Sequence, residues 1–136
     1  MNTITVRHVD RDRFAITARD HTFTIDQPVS DGGEDTAPTP TELFVASLAG
    51  CVAFYARRYL ARHDLPEEGL TVTAGYSMAS RPARISDIRI AIELSPHVPV
   101  ERRDALLAIA SHCTVHNTLT DPPSVTIGLA DEAAAA

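Results

Sequence analysis

Two cysteines, Cys51 and Cys113, are the residues of this sequence with the clearest capacity for chemistry. A thiolate is a nucleophile, and a second thiol can convert an oxidised cysteine into a disulfide that external thiols reduce. Free cysteine is also one of the most frequently buried residue types. The residue types alone therefore allow either a redox pair or two structural residues.

The residues around Cys113 open two further interpretations. If Thr114–Leu119 forms a short helix, Cys113 lies at its N-terminus, where free amides and the helix dipole stabilise a thiolate. The alternative is that Cys113 is only a structural turn or N-cap residue. The pattern His112-Cys113-x-x-His116 also contains zinc-ligand residue types, and Cys51 would supply a fourth ligand. The second closely spaced ligand pair of most zinc sites is absent.

The strongest helix signal in the sequence carries Cys51 in its middle. Thr39 as the N-cap, Pro40 at N1 and Glu42 at N3 form a capping box, and the helix is predicted to end near His63. Nine residues along a helix correspond to about 13.5 Å and about 900°, so Glu42 points away from Cys51 of its own chain. Glu42 is therefore either a helix cap or a group that reaches the thiol of another subunit.

The first half of this helix, Leu43–Tyr55, is apolar on every side. Such a helix must be surrounded by protein, which a small monomer can hardly provide, so the sequence predicts an obligate homodimer. The uncharged run is too short to span a bilayer of about 30 Å, and we expect a buried core helix and no membrane association.

Strands with alternating apolar residues are predicted on both sides of the central helix. Arg19-Asp20 is the expected hairpin turn between the second and third strands, and Pro99–Ser111 is expected to form a second helix. The order β-β-β-α-β-β-α-β predicts an α+β fold with helices on one face of a mainly antiparallel sheet. The apolar positions that define the strands are Ile4, Val6, Phe14, Ile16, Phe23, Ile25, Leu70, Val72, Ala74, Tyr76, Met78, Ile88, Ile90, Ile92, Leu94, Val125, Ile127 and Leu129.

Length and charge exclude several classes of function. At 136 residues and 14.7 kDa the chain fits one domain, 1–136. Its net charge of −6 disfavours a nucleic-acid partner, and the absence of lysine excludes Schiff-base chemistry. The N-terminus shows no targeting signal, so we expect a cytoplasmic protein, in which lasting disulfides are rare.

Two segments centred on the cysteines resemble the OsmC/Ohr family. Pro38–Cys51, with the sequence PTPTELFVASLAGC, resembles its central-helix motif, and His112–Leu119, HCTVHNTL, resembles its second-cysteine motif. The order of the elements is also similar. Glu42 lies one residue closer to the cysteine than in the dedicated organic hydroperoxide enzymes, so the spacing is closer to that of the broad OsmC-like branch.

The resemblance implies an intertwined homodimer that reduces organic hydroperoxides with thiols and needs no cofactor. Cys51 would attack the peroxide, Cys113 would resolve the oxidised cysteine, and an external thiol would reduce the resulting disulfide. The family's glutamate maps near Glu42, and Arg19 is the candidate for its arginine, with Arg13 in reserve. An alternative is a non-redox module that binds a small ligand in the same dimer-interface pocket.

Overall fold

The computed structural model describes residues 1–130 and shows a mixed α+β fold with two antiparallel sheets and three α-helices. A short 3-10 turn, Val29–Asp31, lies in the loop before the first α-helix. The elements in chain order are β1 (Ile4–Asp10), β2 (Arg13–Ala18), β3 (His21–Ile25), α1 (Pro40–Arg62), β4 (Thr71–Ala79), β5 (Arg84–Glu93), α2 (Val100–Ala110) and α3 (Thr114–Thr120).

The capping box fixes the first turn of α1. Glu42 N donates to Thr39 Oγ1 at 3.1 Å, and Thr39 N donates to Glu42 Oε1 at 2.9 Å, with Pro40 at the first helical position. Two of the amide groups that a helix start leaves unpaired are thereby satisfied. The predicted start is confirmed, and the helix ends at Arg62, next to the predicted boundary at His63.

Among residues 1–130, only one face of α1 is covered. This stripe packs against β4, β5, α2 and α3. The opposite face is exposed and combines small residues with Phe54, and a Cβ at Gly50 would meet no atom within 4 Å. The protein surroundings predicted on every side are therefore present on one side only. The buried stripe consists of Val45, Leu48, Val52, Ala56, Tyr59 and Leu60.

By length and composition alone, α1 is apolar enough to cross a membrane. The central helix of a globular core meets the same criterion, and the buried stripe of α1 is typical of such a helix.

The sheet formed by β4 and β5 supplies the other side of the core. Val72 pairs with Ile92 and Ala74 with Ile90, so these side chains share one face. That face packs against α1, as the alternating apolar residues predict.

The three-stranded sheet has the order β1-β2-β3, and within residues 1–130 it makes no substantial contact with the helices. The pairings of Val6 with Ile16 and of Ile16 with Phe23 place apolar side chains on one face. This face is poorly covered, and Ile4 on it is 66% exposed. The helices pack on one face of an antiparallel sheet, as predicted, but among residues 1–130 that sheet consists of β4 and β5, and β1–β3 form a separate sheet.

The predicted last strand through Val125, Ile127 and Leu129 does not form within residues 1–130. Residues 122–129 have no regular secondary structure, and Ile127 is 91% exposed. A segment with alternating apolar residues forms a strand only where the edge of another strand can hydrogen-bond to its backbone amides and carbonyls. Within the described chain no strand pairs with this segment.

A buried carboxylate, Asp26, organises the loop between β3 and α1. It accepts hydrogen bonds from Thr36 Oγ1 at 2.7 Å, Thr36 N at 3.0 Å and Gln27 N at 2.7 Å. Asp26 N donates to Pro38 O at 3.2 Å, which connects the end of β3 to the residue before the cap of α1. A Cβ at Gly33 would lie 2.0 Å from Gln27 O, so the loop can close only with glycine there.

The hydrogen bonds at Asp26 make its charge favourable. The Thr36 hydroxyl and amide, together with the Gln27 amide, lower the pKa of the Asp26 carboxyl from 3.8 to about 2 against the opposing effect of burial. The ionised carboxylate therefore stabilises the folded loop at neutral pH.

We predict that Asp26→Asn lowers the thermal unfolding midpoint at neutral pH, because asparagine cannot form the charge-assisted hydrogen bonds. The folded-state pKa lies below the ordinary value, so the stabilisation is complete above about pH 4 and is lost as the pH falls through about 2. Circular dichroism melts should show a difference between the two proteins that is largest at neutral pH and narrows below about pH 4. A pH-independent difference would contradict this role.

Candidate active site

The structure brings the two cysteines together. Cys51 lies in the middle of α1, and Cys113 is the N-cap of α3, the short helix predicted as one alternative. Cys51 is partly exposed and packs against the core cluster that contains the buried Cys113. Both are free thiols, and they lie close enough for Cys51 to affect the pKa of Cys113.

The surroundings of Cys113 raise the pKa of its thiol above the ordinary value. Its burial raises its pKa, the His116 amide hydrogen bond lowers it, and the neighbouring Cys51 raises it again. The distance from His116 N to Cys113 Sγ is 3.4 Å. As predicted, Cys113 lies at a helix N-terminus, which stabilises a thiolate. Burial has the larger, opposite effect on the pKa, because a buried thiolate loses its hydration.

Three hydrogen bonds fix α3 against the rest of the helical layer. Tyr55 OH and Thr114 Oγ1 lie 2.9 Å apart, which connects the residue one turn after Cys51 to the residue after Cys113. His116 Nδ1 lies 2.5 Å from Ser111 O, and Asn117 Nδ2 donates to His112 O at 3.2 Å. These contacts hold the second thiol beside the first.

The metal-site alternative is not assembled in this structure. Among residues 1–130 no three His, Cys, Asp or Glu side chains come together in a metal-binding arrangement. His112 Nδ1 contacts Ala108 O at 2.7 Å, and His116 Nδ1 contacts Ser111 O. Each of these ring nitrogens donates to a backbone carbonyl and so is not free to bind a metal.

Glu42 and Arg19 both lie away from the thiols of their own chain. Glu42 is exposed at the first turn of α1, where it closes the capping box. Arg19 is exposed in the predicted β2–β3 turn, with φ of 54°, on the sheet that does not pack against α1. The reserve candidate, Arg13, forms an ion pair with Asp10.

A large, mainly apolar cavity of about 820 Å³ is lined by residues that lie one turn from each cysteine. Leu48, one turn before Cys51, and His116, one turn after Cys113, both line it. The remaining wall comes from the start of α1, the ends of β4 and β5, and α3, and includes Phe44, Met78, Ile85, Ile88 and Leu119. We call this space the apolar cavity.

The family model described as OsmC-like protein matches residues 32–128, which is more than half of the chain. The chain belongs to the OsmC-like protein family. The resemblance identified from the two cysteine-centred segments is thereby confirmed. No curated protein matches the chain with significant sequence similarity.

Solved structures show that this OsmC-like protein shares its fold with other family members. An osmotic stress induced and detoxification response protein from Psychrobacter arcticus superposes with a TM-score of 0.79 at 24% identity, over 87% of this chain and 88% of that chain. The organic hydroperoxide resistance protein OsmC from Legionella pneumophila gives 0.60 at 21% identity, over 88% of each chain. The organic hydroperoxide resistance protein OhrB of Bacillus subtilis gives 0.63 at 18% identity, over 90% and 92% respectively.

Sequence reasoning did not find Tyr55 as a residue of the site. Its hydroxyl contact with Thr114 joins two helices that are distant in sequence, and no local pattern indicates such a pair. The available signal was its position one turn after Cys51, which places both side chains on the same side of α1.

We predict that Thr39→Ala in this OsmC-like protein lowers the free energy of unfolding by about 0.5–2 kcal/mol, because the Glu42 amide loses its acceptor. Glu42→Gln should cost less than this, since glutamine also closes a capping box. Urea denaturation of both variants measures the two effects. A larger loss in Glu42→Gln than in Thr39→Ala would mean that the carboxylate charge, and not the cap, holds the helix start.

Proposed function

We propose that this OsmC-like protein is a cytoplasmic thiol peroxidase that reduces organic hydroperoxides through a Cys51–Cys113 disulfide. The observation that carries the proposal is the proximity of two free thiols, of which Cys51 is partly exposed and Cys113 is buried. An accessible thiol next to a protected one suits an attacking and a resolving cysteine. Two of the solved relatives are named organic hydroperoxide resistance proteins, which supports the same reaction class.

The reaction divides between the two sulfurs. The Cys51 thiolate attacks the distal oxygen of the hydroperoxide, the O–O bond breaks, and the alkoxide takes a proton and leaves as the alcohol. Cys51 is then a sulfenic acid, which Cys113 attacks to form the disulfide and release water. Two equivalents of an external thiol restore both cysteines, so the sulfur atoms carry both electrons and no cofactor takes part.

The apolar cavity supports an organic substrate over hydrogen peroxide. Its walls are mostly hydrocarbon side chains, and they include Leu48 and His116, each one turn from a cysteine. Burial of an alkyl group there contributes about 25 cal/mol per Å² of apolar surface removed from water, a contribution that hydrogen peroxide lacks.

We further propose that the protein acts as a homodimer. Three apolar surfaces lack cover within one described chain, namely the outer face of α1, one face of the three-stranded sheet, and residues 125–129. A three-stranded sheet needs its apolar face packed to be stable, and a second copy offers matching surfaces. Obligate dimer interfaces typically bury upwards of about 2,000 Å².

In the proposed dimer, Glu42 and Arg19 of one chain lie near the Cys51 thiol of the other chain. Both are exposed and neither faces Cys51 of its own chain. Glu42 would orient an arginine, and the guanidinium would favour the thiolate. In this role Glu42→Gln lowers the rate of peroxide consumption about tenfold, corresponding to about 1.4 kcal/mol in the barrier. Full activity in a stable Glu42→Gln protein would leave Glu42 as a helix cap only.

We predict opposite consequences for the two cysteine substitutions. With one equivalent of cumene hydroperoxide the wild type should lose both thiols without intermolecular crosslinks. Cys113→Ser should lose its remaining thiol once and then stop, with excess peroxide converting Cys51 to sulfinic acid, whereas Cys51→Ser should keep its thiol. Thiol titration and intact-mass spectrometry distinguish these products. Equal residual turnover in the two variants would contradict the assigned roles.

We predict a dimer in solution. Light scattering at micromolar concentration should give twice the 14.7 kDa mass of one chain. A monomer under these conditions would refute both the dimer and the proposed contributions of Glu42 and Arg19 from a partner.

The apolar cavity also favours a second candidate, a non-redox module that binds a small apolar ligand in this space. The thiol titration described above separates the two functions, because a binding module would retain both thiols after peroxide treatment. Saturable binding of an apolar fluorophore together with intact thiols would support the second candidate.

A further inference from the structure

A second cavity of about 630 Å³ lies between the second half of α1 and α2. Its wall differs from that of the apolar cavity because it combines aromatic rings with basic side chains. We call it the basic cavity, and the residues that characterise it are Tyr55, Arg58, Tyr59, Arg62, His63 and His112.

The positive charge of the basic cavity is not neutralised by its own chain. No acidic side chain of the described residues lines the cavity, and neither Arg58 nor Arg62 forms an ion pair within residues 1–130. The adjacent Arg57 differs, since its Nε lies 3.1 Å from a Glu67 carboxylate oxygen. Arg58 and Arg62, which form no ion pair within residues 1–130, favour an anionic occupant of this open cavity, because arginine can hold a carboxylate through two hydrogen bonds.

Two residues of the basic cavity connect it with the segments that carry the thiols. Tyr55 lines it and lies one turn after Cys51, and its hydroxyl contacts Thr114, which follows Cys113. His112, which precedes Cys113, also lines it. The lining of the apolar cavity includes Leu48, one turn before Cys51. Along α1, Cys51 therefore lies between a residue that lines the apolar cavity and Tyr55, which lines the basic cavity.

We propose that the basic cavity binds the anionic group of the low-molecular-weight thiol that reduces the Cys51–Cys113 disulfide, an inference that rests on the proposed function. A carboxylate held near Arg58 and Arg62 increases the local concentration of the reductant beside the sulfurs. The organic part of the hydroperoxide is apolar and binds instead in the apolar cavity. Oxidant and reductant thus approach the same sulfur pair through cavities of different chemistry.

The reductive step consumes two molecules of the anionic thiol. The first thiolate attacks the sulfur of Cys51, which is partly exposed, and the Cys51–Cys113 bond breaks to give a mixed disulfide and the Cys113 thiolate. A second thiolate attacks the sulfur of the small molecule in the mixed disulfide and releases Cys51. The products are the disulfide of the small thiol and two protein thiols, which regain two protons.

The test measures disulfide reduction separately from peroxide chemistry. Diamide oxidises the wild-type protein to the Cys51–Cys113 disulfide and is itself reduced to the hydrazine. After removal of diamide, the return of protein thiols is followed with glutathione and with glutathione diethyl ester, which lacks both carboxylates. Neutral dithiothreitol provides a reference rate that reports an intact, reducible disulfide in every variant.

We expect wild-type protein to react about tenfold faster with glutathione than with the diester after correction for thiolate concentration, and the ratio to fall with added salt. Arg58→Gln/Arg62→Gln should abolish the preference, and Arg62→Gln alone should reduce it. The matched control Arg57→Gln, which removes a charge from the neighbouring position on α1, should retain it. The dithiothreitol rate should be the same in all of these proteins.

The outcomes separate this inference from the proposed function. Equal rates with glutathione and the diester in the wild type, or an unchanged preference in the double variant, would overturn the role of the basic cavity and leave the peroxidase proposal standing. A clear preference for glutathione in a protein that keeps its thiols after cumene hydroperoxide treatment would support the anionic-thiol site and overturn the peroxidase proposal. Failure of diamide to form the intramolecular disulfide would overturn both.

Discussion

The contact between the middle of α1 and the start of α3 is the constraint on which the site depends. It places a cysteine from each helix side by side although the two are far apart in sequence, and the Tyr55–Thr114 contact connects the same two helices. Each of the two cavities is bounded by residues that flank this contact. Loosening this contact would separate the two sulfurs, so the cysteines and the residues packed around them form one unit.

The same contact also explains the different character of the two thiols. Cys113 is buried in this contact, and the loss of hydration raises the pKa of its thiol. The hydrogen bond from the His116 amide lowers the pKa by a smaller amount. Cys51 remains at the edge of the packed region and partly exposed. The two thiols therefore differ because one is buried and the other is partly exposed, although both residues are cysteines.

Local signals predicted much of the fold correctly. The cap at Thr39 and Glu42, the length of α1 and the turn at Arg19 depend on neighbouring residues, and all three are confirmed. The last strand through Ile127 was predicted incorrectly because strand formation requires a distant edge, which alternation of residue types cannot supply. The basic cavity between α1 and α2 could not be predicted from neighbouring residues either. Basic residues near the end of a helix are also explained by their favourable interaction with the helix dipole, so they do not by themselves indicate a cavity.

The hydrogen bonds around Asp26 have a consequence for assembly. They join the end of β3 to the start of α1 through a short, closed loop, in which Gly33 allows close contact with the backbone of Gln27. A loop fixed in this way restricts the directions in which the three-stranded sheet can extend from the helix. The sheet would then already have its bound orientation when a second molecule covers its apolar face. Less conformational entropy would be lost on association than if the sheet were attached to the helix by a flexible loop.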